Sequence, residues 1–241
     1  MSKVIDEPNF RNKNRVFDDR FHAGEILSQK LKQYANRGDT YILAIPAGGV
    51  QVAVVVAKNL NLQLDLAITR KIHVPWNQEA GFGAVSWNGL VLLNEHLIVS
   101  LGLSEEDVSR CVAEEKEIIE QRVKRFRGNR PFPDLNNKNI IIIDDGLASG
   151  FSMLTTIKAV RRNKIKELIV AVPTAPTSAI NLLRPHVDKI ICPNIRSRAF
   201  FAVADAYKNW YDLDDKDVIE LLKSITQNNT RDHESDQPKS V

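Results

Sequence analysis

The chain has 241 residues, of which 43% are hydrophobic and 26% are charged, and its formal net charge is +3 at pH 7. These values exclude a disordered protein, because a chain of this length and composition can bury a large core. The near balance of charge argues against nucleic acid as a partner. No apolar run approaches the roughly 20 residues that a membrane-spanning helix needs.

The cysteines and the N-terminal residues indicate the cellular compartment in which the protein is expected. Cys111 and Cys192 lie far apart with no second ligand nearby in the sequence, so neither a disulfide framework nor a zinc site is predicted. The first 17 residues are polar and charged and lack the apolar segment of an export signal. We expect a cytoplasmic protein.

Helical patterns alternate with short β-branched runs along the chain. In chain order these are a helix at 23–34, a strand at 41–45, a helix at 50–60, a strand at 64–69, a long helix at 104–127, a strand at 140–143, a helix at 152–162, a strand at 168–172, a helix at 178–183 and a strand at 189–191. Several strands are apolar throughout, as in a sheet covered on both faces. The sequence therefore predicts an α/β fold with a central, mostly parallel sheet flanked by helices.

Three segments depart from this repeat. Residues 1–16 are a polar N-terminal segment before a domain at 17–225, and residues 226–241 are polar without an apolar pattern, which predicts a disordered tail. The long helix opens with the capping-box pattern Ser104-Glu105-Glu106-Asp107, and its sparse apolar positions place it across the domain or against a partner. A basic cluster at its end is interpreted as a solvated surface favoured by the helix dipole: Arg122, Lys124, Arg125, Arg127 and Arg130.

The segment Ile140–Ser152 carries the strongest chemical signal. A buried strand delivers Asp144 and Asp145 to the carboxyl end of the sheet, where open α/β sheets bind ligands. Backbone N–H groups from Gly146 to Ser152 then converge on an anion, aided by the helix dipole and by the hydroxyls of Ser149 and Ser152. A phosphate there would place a sugar beside the carboxylates, so the predicted ligand is a ribose 5-phosphate. Magnesium-binding receiver domains and Walker B strands also pair acids at a strand end, although this chain has no Walker A loop.

This segment resembles the phosphoribosyl pyrophosphate motif of type I phosphoribosyltransferases. The resemblance implies that Asp144 and Asp145 hold the ribose hydroxyls and, through the bound ligand, Mg²⁺. It implies that the 5′-phosphate is held by the loop residues Gly146, Leu147, Ala148, Ser149, Gly150, Phe151 and Ser152. It also implies a type I fold with a small hood and an inserted long helix.

Two upstream segments extend the resemblance. Pro46-Ala47-Gly48-Gly49-Val50 resembles the pyrophosphate loop, in which glycine lets the backbone approach the anion, although relatives often carry a polar residue at the position of Ala47. The alternative is a simple strand-to-helix turn. Arg70-Lys71, at the end of the second predicted strand, resembles the basic pair before a mobile catalytic loop, here 73–83. The alternative for 73–83 is an ordinary hairpin.

From Phe17-Asp18-Asp19-Arg20 onward, the order of motifs is similar to predicted bacterial and archaeal phosphoribosyltransferases of unassigned substrate. The resemblance implies transfer of 5-phosphoribosyl from phosphoribosyl pyrophosphate to a nitrogen nucleophile, with Asp145 or Glu79 as proton acceptor, and a homo-oligomer, typically a homodimer. The hood is the N-terminal segment together with 193–210, where the candidate contacts to the small-molecule acceptor are Arg196, Arg198, Phe200, Phe201, Tyr207 and Trp210. A non-catalytic sensor of phosphoribosyl pyrophosphate and an assembly protein built on the long helix remain alternatives.

Overall fold

The structure is a computed structural model that describes residues 2–197 and 202–234, apart from the side chains of 78, 79 and 226–234. Its strands are β1 (Lys3–Ile5), β2 (Thr40–Ala44), β3 (Gln63–Leu66), β4 (Thr69–Val74), β5 (Asn77–Ser86), β6 (Val91–Leu93), β7 (Asn139–Ile143), β8 (Glu167–Ala171), β9 (Thr174–Pro176), β10 (Lys189–Ile191) and β11 (Asn194–Arg196). Its α-helices are α1 (Arg20–Lys30), α2 (Gly48–Leu60), α3 (Glu95–Leu101), α4 (Glu105–Arg127), α5 (Phe151–Val160), α6 (Thr177–Leu183) and α7 (Asp215–Glu234).

The central sheet has six strands in the order β1-β10-β8-β7-β2-β3, and every pairing in it is parallel. The four isoleucines of β7, at 140–143, are completely buried because helices cover both faces of the sheet. One hydrophobic core includes residues of α1, α2 and α4, and the other includes residues of α5 and α6. The predicted α/β class and the predicted strands corresponding to β2, β7, β8 and β10 are confirmed.

The predicted strand at 64–69 is wrong at its end. β3 stops at Leu66, and Thr69 begins β4, which belongs to a separate antiparallel sheet of the order β4-β5-β6. The apolar pattern runs through this junction because Ala67 and Ile68 are buried in the cores, so the sequence carries no signal where the chain changes sheet. Arg70 and Lys71 consequently lie within β4 and not at the edge of the main sheet.

The stretch 73–83, predicted as a mobile catalytic loop, forms the paired ends of β4 and β5 and the turn between them. β4 and β5 are antiparallel, with Lys71 opposite Ala84 and Ile72 opposite Gly83. Ile72 and Val74 of β4 and Phe82 of β5 are buried, which favours a hairpin packed on the core, and its pairing shifts register on both sides of His73. The hairpin alternative is the correct description of its local structure.

Helix α4 has the predicted capping box and packs against β4 and β5. Its basic end is not simply solvated. Arg122 and Arg125 both pair with Asp215 of α7, and Arg127 pairs with Asp65 of β3. Three arginines of the basic cluster therefore have a structural role, because their ion pairs join α4 to α7 and to the edge of the central sheet.

Both ends of the chain differ from the predicted organisation. The N-terminal segment supplies β1, the edge strand beside β10, so it is part of the domain; three residues are too few to show a strand pattern. Helix α7 continues through 226–234, where a disordered tail was predicted, because backbone bonds can extend a helix past its last apolar residue. Residues 235–241 lie outside the described residues. None of the helices in the described part of the chain is long and apolar enough to cross a membrane.

Candidate active site

A cleft of about 830 Å³ opens beside the carboxyl ends of β2 and β7. Residues from the two sequence motifs, at 46–50 and 140–152, line it together with residues from β4, α1, α4 and the end of the hood. The lining residues are Arg20, Pro46, Ala47, Gly48, Thr69, Arg70, Lys71, His73, Arg122, Asp145, Val203, Trp210, Asp212 and Leu213. This is the position that the parallel topology predicts for a ligand.

Two adjacent carboxyl groups follow β7. Asp144 Oδ1 accepts a hydrogen bond from the backbone N–H of Asp145 at 2.9 Å. Burial and the neighbouring Asp145 raise the pKa of Asp144 well above its usual value. Burial also raises the pKa of Asp145, although the Arg20 guanidinium opposes this shift. The pair is therefore held in an environment that disfavours two negative charges.

Arg20 is the main residue of the site to which the sequence analysis gave no role. It begins α1, is 3% exposed, and donates from Nε to Asp145 Oδ2 at 2.8 Å. Nη1 donates to the carbonyl of Tyr211 at 2.8 Å, and the guanidinium carbon lies 3.9 Å from the centre of the Trp210 ring. The motif Phe17-Asp18-Asp19-Arg20 was the available signal, but only folding brings it to Asp145.

The predicted phosphate loop has the expected strand-to-helix geometry, with Gly150 in the left-handed region at φ 80° immediately before α5. Ser149 Oγ accepts a hydrogen bond at 3.3 Å from the backbone N–H of Phe151, the first residue of α5. Leu147 is buried and donates its N–H to the carbonyl of Thr174 at 2.9 Å. The backbone of Leu147 is therefore tied to β9, and its predicted phosphate contact stays a prediction.

The glycine pair at the start of α2 directly contacts the two aspartates. A Cβ added to Gly48 would lie 1.9 Å from Asp145 Oδ2, and one added to Gly49 would lie 2.8 Å from the Asp144 Cα. Only glycine therefore fits at these positions. The preceding peptide bond, between Pro46 and Ala47, is cis. The two motifs, far apart in sequence, form one continuous surface.

Strand β4 brings the predicted basic pair to the cleft, since both Arg70 and Lys71 line it. Arg70 Nε donates to Glu115 Oε2 at 2.6 Å, and His73 Nδ1 lies 2.9 Å from Glu115 Oε1. Neither Glu115 nor His73 was predicted as a site residue. The side chain of Glu79, a predicted proton acceptor, lies outside the described part of the chain.

Val203 and Trp210 of the hood line the cleft, but the described part of the hood does not supply the predicted set of ring contacts. Tyr207 is buried, packs against Phe17 and donates from its hydroxyl to the carbonyl of Asp145 at 2.5 Å, so it is a core residue. Arg196 is also buried and donates to the carbonyl of Lys13 at 2.9 Å. Trp210 does line the cleft. The candidates Arg198, Phe200 and Phe201 lie outside the described residues.

The charge of the lining indicates the class of ligand. Four permanently basic side chains line the cleft, against two carboxylates: Arg20, Arg70, Lys71 and Arg122, opposite Asp145 and Asp212. Such a surface favours a ligand with several negative charges. Within the described residues, no three acidic, histidine or cysteine side chains are grouped as a ready-made metal site.

Comparison with known proteins agrees with this geometry. Residues 18–208 match the family described as "Phosphoribosyl transferase domain". Two Mycobacterium tuberculosis proteins, named "Putative phosphoribosyl transferase" in strains CDC 1551 and H37Rv, are each 32% identical over 210 residues, covering 86% of this chain and 46% of their own length. The chain thus spans about half the length of these curated relatives. The crystal structure of TT1426 from Thermus thermophilus is similar with a TM-score of 0.69 and 29% identity, covering 86% of this chain and 98% of that one.

Proposed function

The chain belongs to the phosphoribosyl transferase domain family, and from this premise we propose that it transfers 5-phosphoribosyl from phosphoribosyl pyrophosphate to a nitrogen nucleophile, releasing pyrophosphate. One observation carries the proposal: a single cleft joins Asp145, the Gly48 turn and the basic strand β4. These are the three kinds of group that a ribose bearing a pyrophosphate requires, namely hydroxyl acceptors, a close backbone approach and fixed cations.

The substrate would lie across the cleft in one orientation. The 5′-phosphate meets the turn before α5, whose first N–H groups have no partner within the helix. The adjacent Asp144 and Asp145 accept hydrogen bonds from the ribose hydroxyls. The pyrophosphate then extends over Gly48 toward Arg70 and Lys71.

The chemistry follows from this placement. The bond between C1 and the pyrophosphate oxygen breaks, the electron pair stays on that oxygen, and positive charge develops on the ribose as in glycoside cleavage. Arg70 and Lys71 stabilise the departing anion more strongly than the bound substrate, which lowers the barrier. The acceptor nitrogen attacks C1 from the hood side and then gives up its proton to a carboxylate, for which Asp145 and Glu79 are the candidates.

Magnesium fits the residues present. Two carboxylates are too few for a protein-only site, but Mg²⁺ usually keeps water and substrate phosphate oxygens among its ligands. Asp144 and Asp145 are the residues that would hold it, and the bound ion would neutralise charge on the pyrophosphate. A cytoplasmic homo-oligomer remains part of the proposal by family resemblance.

Ala47 favours one competing function. It lines the cleft within the predicted pyrophosphate loop and brings no charge to it, which suits a protein that senses phosphoribosyl pyrophosphate without turning it over. Pyrophosphate release with any acceptor in a screen of purines, pyrimidines, nicotinate and small amines would exclude a purely sensory role.

The first experiment is calorimetric titration with phosphoribosyl pyrophosphate and magnesium. We expect binding by the wild type and loss of binding by the double variant Asp144→Asn, Asp145→Asn. The matched control is Glu105→Gln with Glu106→Gln, which removes two adjacent exposed carboxylates at the start of α4. No binding by the wild type, or equal binding by both double variants, would refute the proposed site.

A further inference from the structure

Helix α4 places a buried carboxylate behind the basic strand of the cleft. Glu115 is 7% exposed and does not line the cleft, whereas its two partners, Arg70 and His73, both do. Its Oε2 accepts from Arg70 Nε at 2.6 Å, and its Oε1 lies 2.9 Å from His73 Nδ1. One carboxylate thus fixes two side chains of the same strand, each by a different oxygen.

The contacts with Glu115 leave specific donors available to a ligand. Arg70 uses only Nε, so both of its terminal amino groups are without a hydrogen-bond partner among the described residues. His73 uses Nδ1, which leaves Nε2. Because both residues line the cleft, these remaining nitrogens are the groups that a bound anion can reach.

A fixed arginine binds an anion better than a free one. The long side chain loses rotamer freedom when it binds, and a preformed contact with Glu115 removes part of that cost before the ligand arrives. The planar guanidinium also needs the correct orientation to donate two parallel bonds to phosphate oxygens. Glu115 supplies this orientation from outside the cleft, where it does not repel the ligand by direct contact.

We propose that Glu115 is a positioning residue that presents Arg70 and His73 to the pyrophosphate group of the substrate. The inference rests on the proposed function and adds His73 to the ligand contacts. With Nδ1 occupied by Glu115, His73 reaches a pyrophosphate oxygen through Nε2. Through Glu115, the inserted helix α4 therefore contributes to substrate binding, although Glu115 itself does not contact the substrate.

Separate titrations with inorganic pyrophosphate and with ribose 5-phosphate, both with magnesium, test this inference on the full chain. For Glu115→Gln and for His73→Asn, we expect pyrophosphate affinity to fall about tenfold, as for loss of one charge-assisted hydrogen bond. Ribose 5-phosphate affinity should stay unchanged. The matched control is Glu114→Gln, the exposed neighbour of Glu115, which should bind both ligands as the wild type does.

Titration with the two ligands distinguishes failure of this inference from failure of the proposed function. If the wild type binds neither ligand, the proposed function fails, and this inference fails with it. If it binds both, and Glu115→Gln and His73→Asn bind pyrophosphate as tightly as the wild type does, only the positioning role is overturned. Equal losses for both ligands would show a merely structural role. Should Glu115→Gln not fold, His73→Asn decides, because it retains the contact between Glu115 and Arg70.

Discussion

Arg20 and Asp145 form an ion pair at the base of the cleft, although 125 positions separate them in the sequence. The contact from Nε to Oδ2 measures 2.8 Å, and the two side chains are only 4% and 14% exposed. Arg20 engages only the Oδ2 oxygen of Asp145. Arg20 therefore sets the direction in which Asp145 accepts hydrogen bonds.

Replacing this arginine should weaken substrate binding. We expect Arg20→Gln to lower the affinity for phosphoribosyl pyrophosphate by roughly ten- to a hundredfold, since hydrogen bonds to charged groups contribute about 1.5–3 kcal/mol. Calorimetric titration measures the change. Arg11→Gln is the control, because its side chain is 55% exposed and pairs with Asp6 away from the cleft. Equal affinities for wild type and Arg20→Gln would contradict this role.

Asp144→Asn should stabilise the protein at neutral and alkaline pH. Burial raises the pKa of Asp144 in the folded state, so its ionisation opposes folding. This free-energy cost of ionising Asp144 is absent below the pKa of the unfolded state, roughly 4. It grows as the pH rises toward the pKa of the folded state.

Thermal unfolding without magnesium at pH 4 and pH 8 tests the sign. The Tm of Asp144→Asn should exceed that of the wild type at pH 8, by roughly 2–4 °C for each kcal/mol, and the two should converge at pH 4. Glu106→Gln, which changes an exposed side chain, should show no such pH-dependent increase in Tm. A wild type with a higher Tm than Asp144→Asn at pH 8 would contradict this prediction.

Gly48→Ala should abolish ligand binding. The added methyl group would lie 1.9 Å from Asp145 Oδ2, so either the carboxylate or the turn must move. Gly38→Ala is the matched control, because a methyl group there meets nothing within 4 Å. Titration with phosphoribosyl pyrophosphate should show at least a hundredfold loss for the first variant only, on the scale of about 1.4 kcal/mol for each factor of ten. Wild-type affinity in Gly48→Ala would mean that the turn is not part of the site.

Tyr207→Phe should lower stability modestly. The tyrosine hydroxyl donates to the backbone carbonyl of Asp145 at 2.5 Å in a buried position, and removing it leaves that carbonyl without this donor. The expected loss is about 1 kcal/mol, or roughly 2–4 °C in Tm. For comparison, Tyr41→Phe removes a hydroxyl that has no hydrogen-bond partner among the described residues, so its Tm should hardly change.

The sequence was sufficient to predict those parts of the site that depend on local order. The strand, the acids and the small-residue turn at 140–152 form one continuous signal, and the type I phosphoribosyltransferase fold expected from it is confirmed. Gly48 could be predicted for the same reason, because a turn that needs close backbone approach requires glycine.

The residues that the sequence analysis missed lie in the cleft or directly behind it as a result of tertiary packing. Arg20 starts a helix whose own pattern says nothing about Asp145, and Glu115 is one acidic residue among many on α4. Tyr207 was interpreted as a ring-stacking residue because aromatic composition does not reveal burial. The junction between β3 and β4 was missed because Ala67 and Ile68 continue the apolar run.

The stacking of Arg20 on Trp210 gives the protein an intrinsic optical reporter. A cation 3.9 Å from the ring centre perturbs the excited state of the indole, and Trp210 lines the cleft that the ligand enters. Trp76, 65% exposed at the turn between β4 and β5, reports instead on the solvent around the hairpin. Trp87, half-buried and stacked on Phe132 with ring centres 4.9 Å apart, does not line the cleft. Tryptophan emission can therefore follow ligand entry and hairpin exposure in real time without an attached dye.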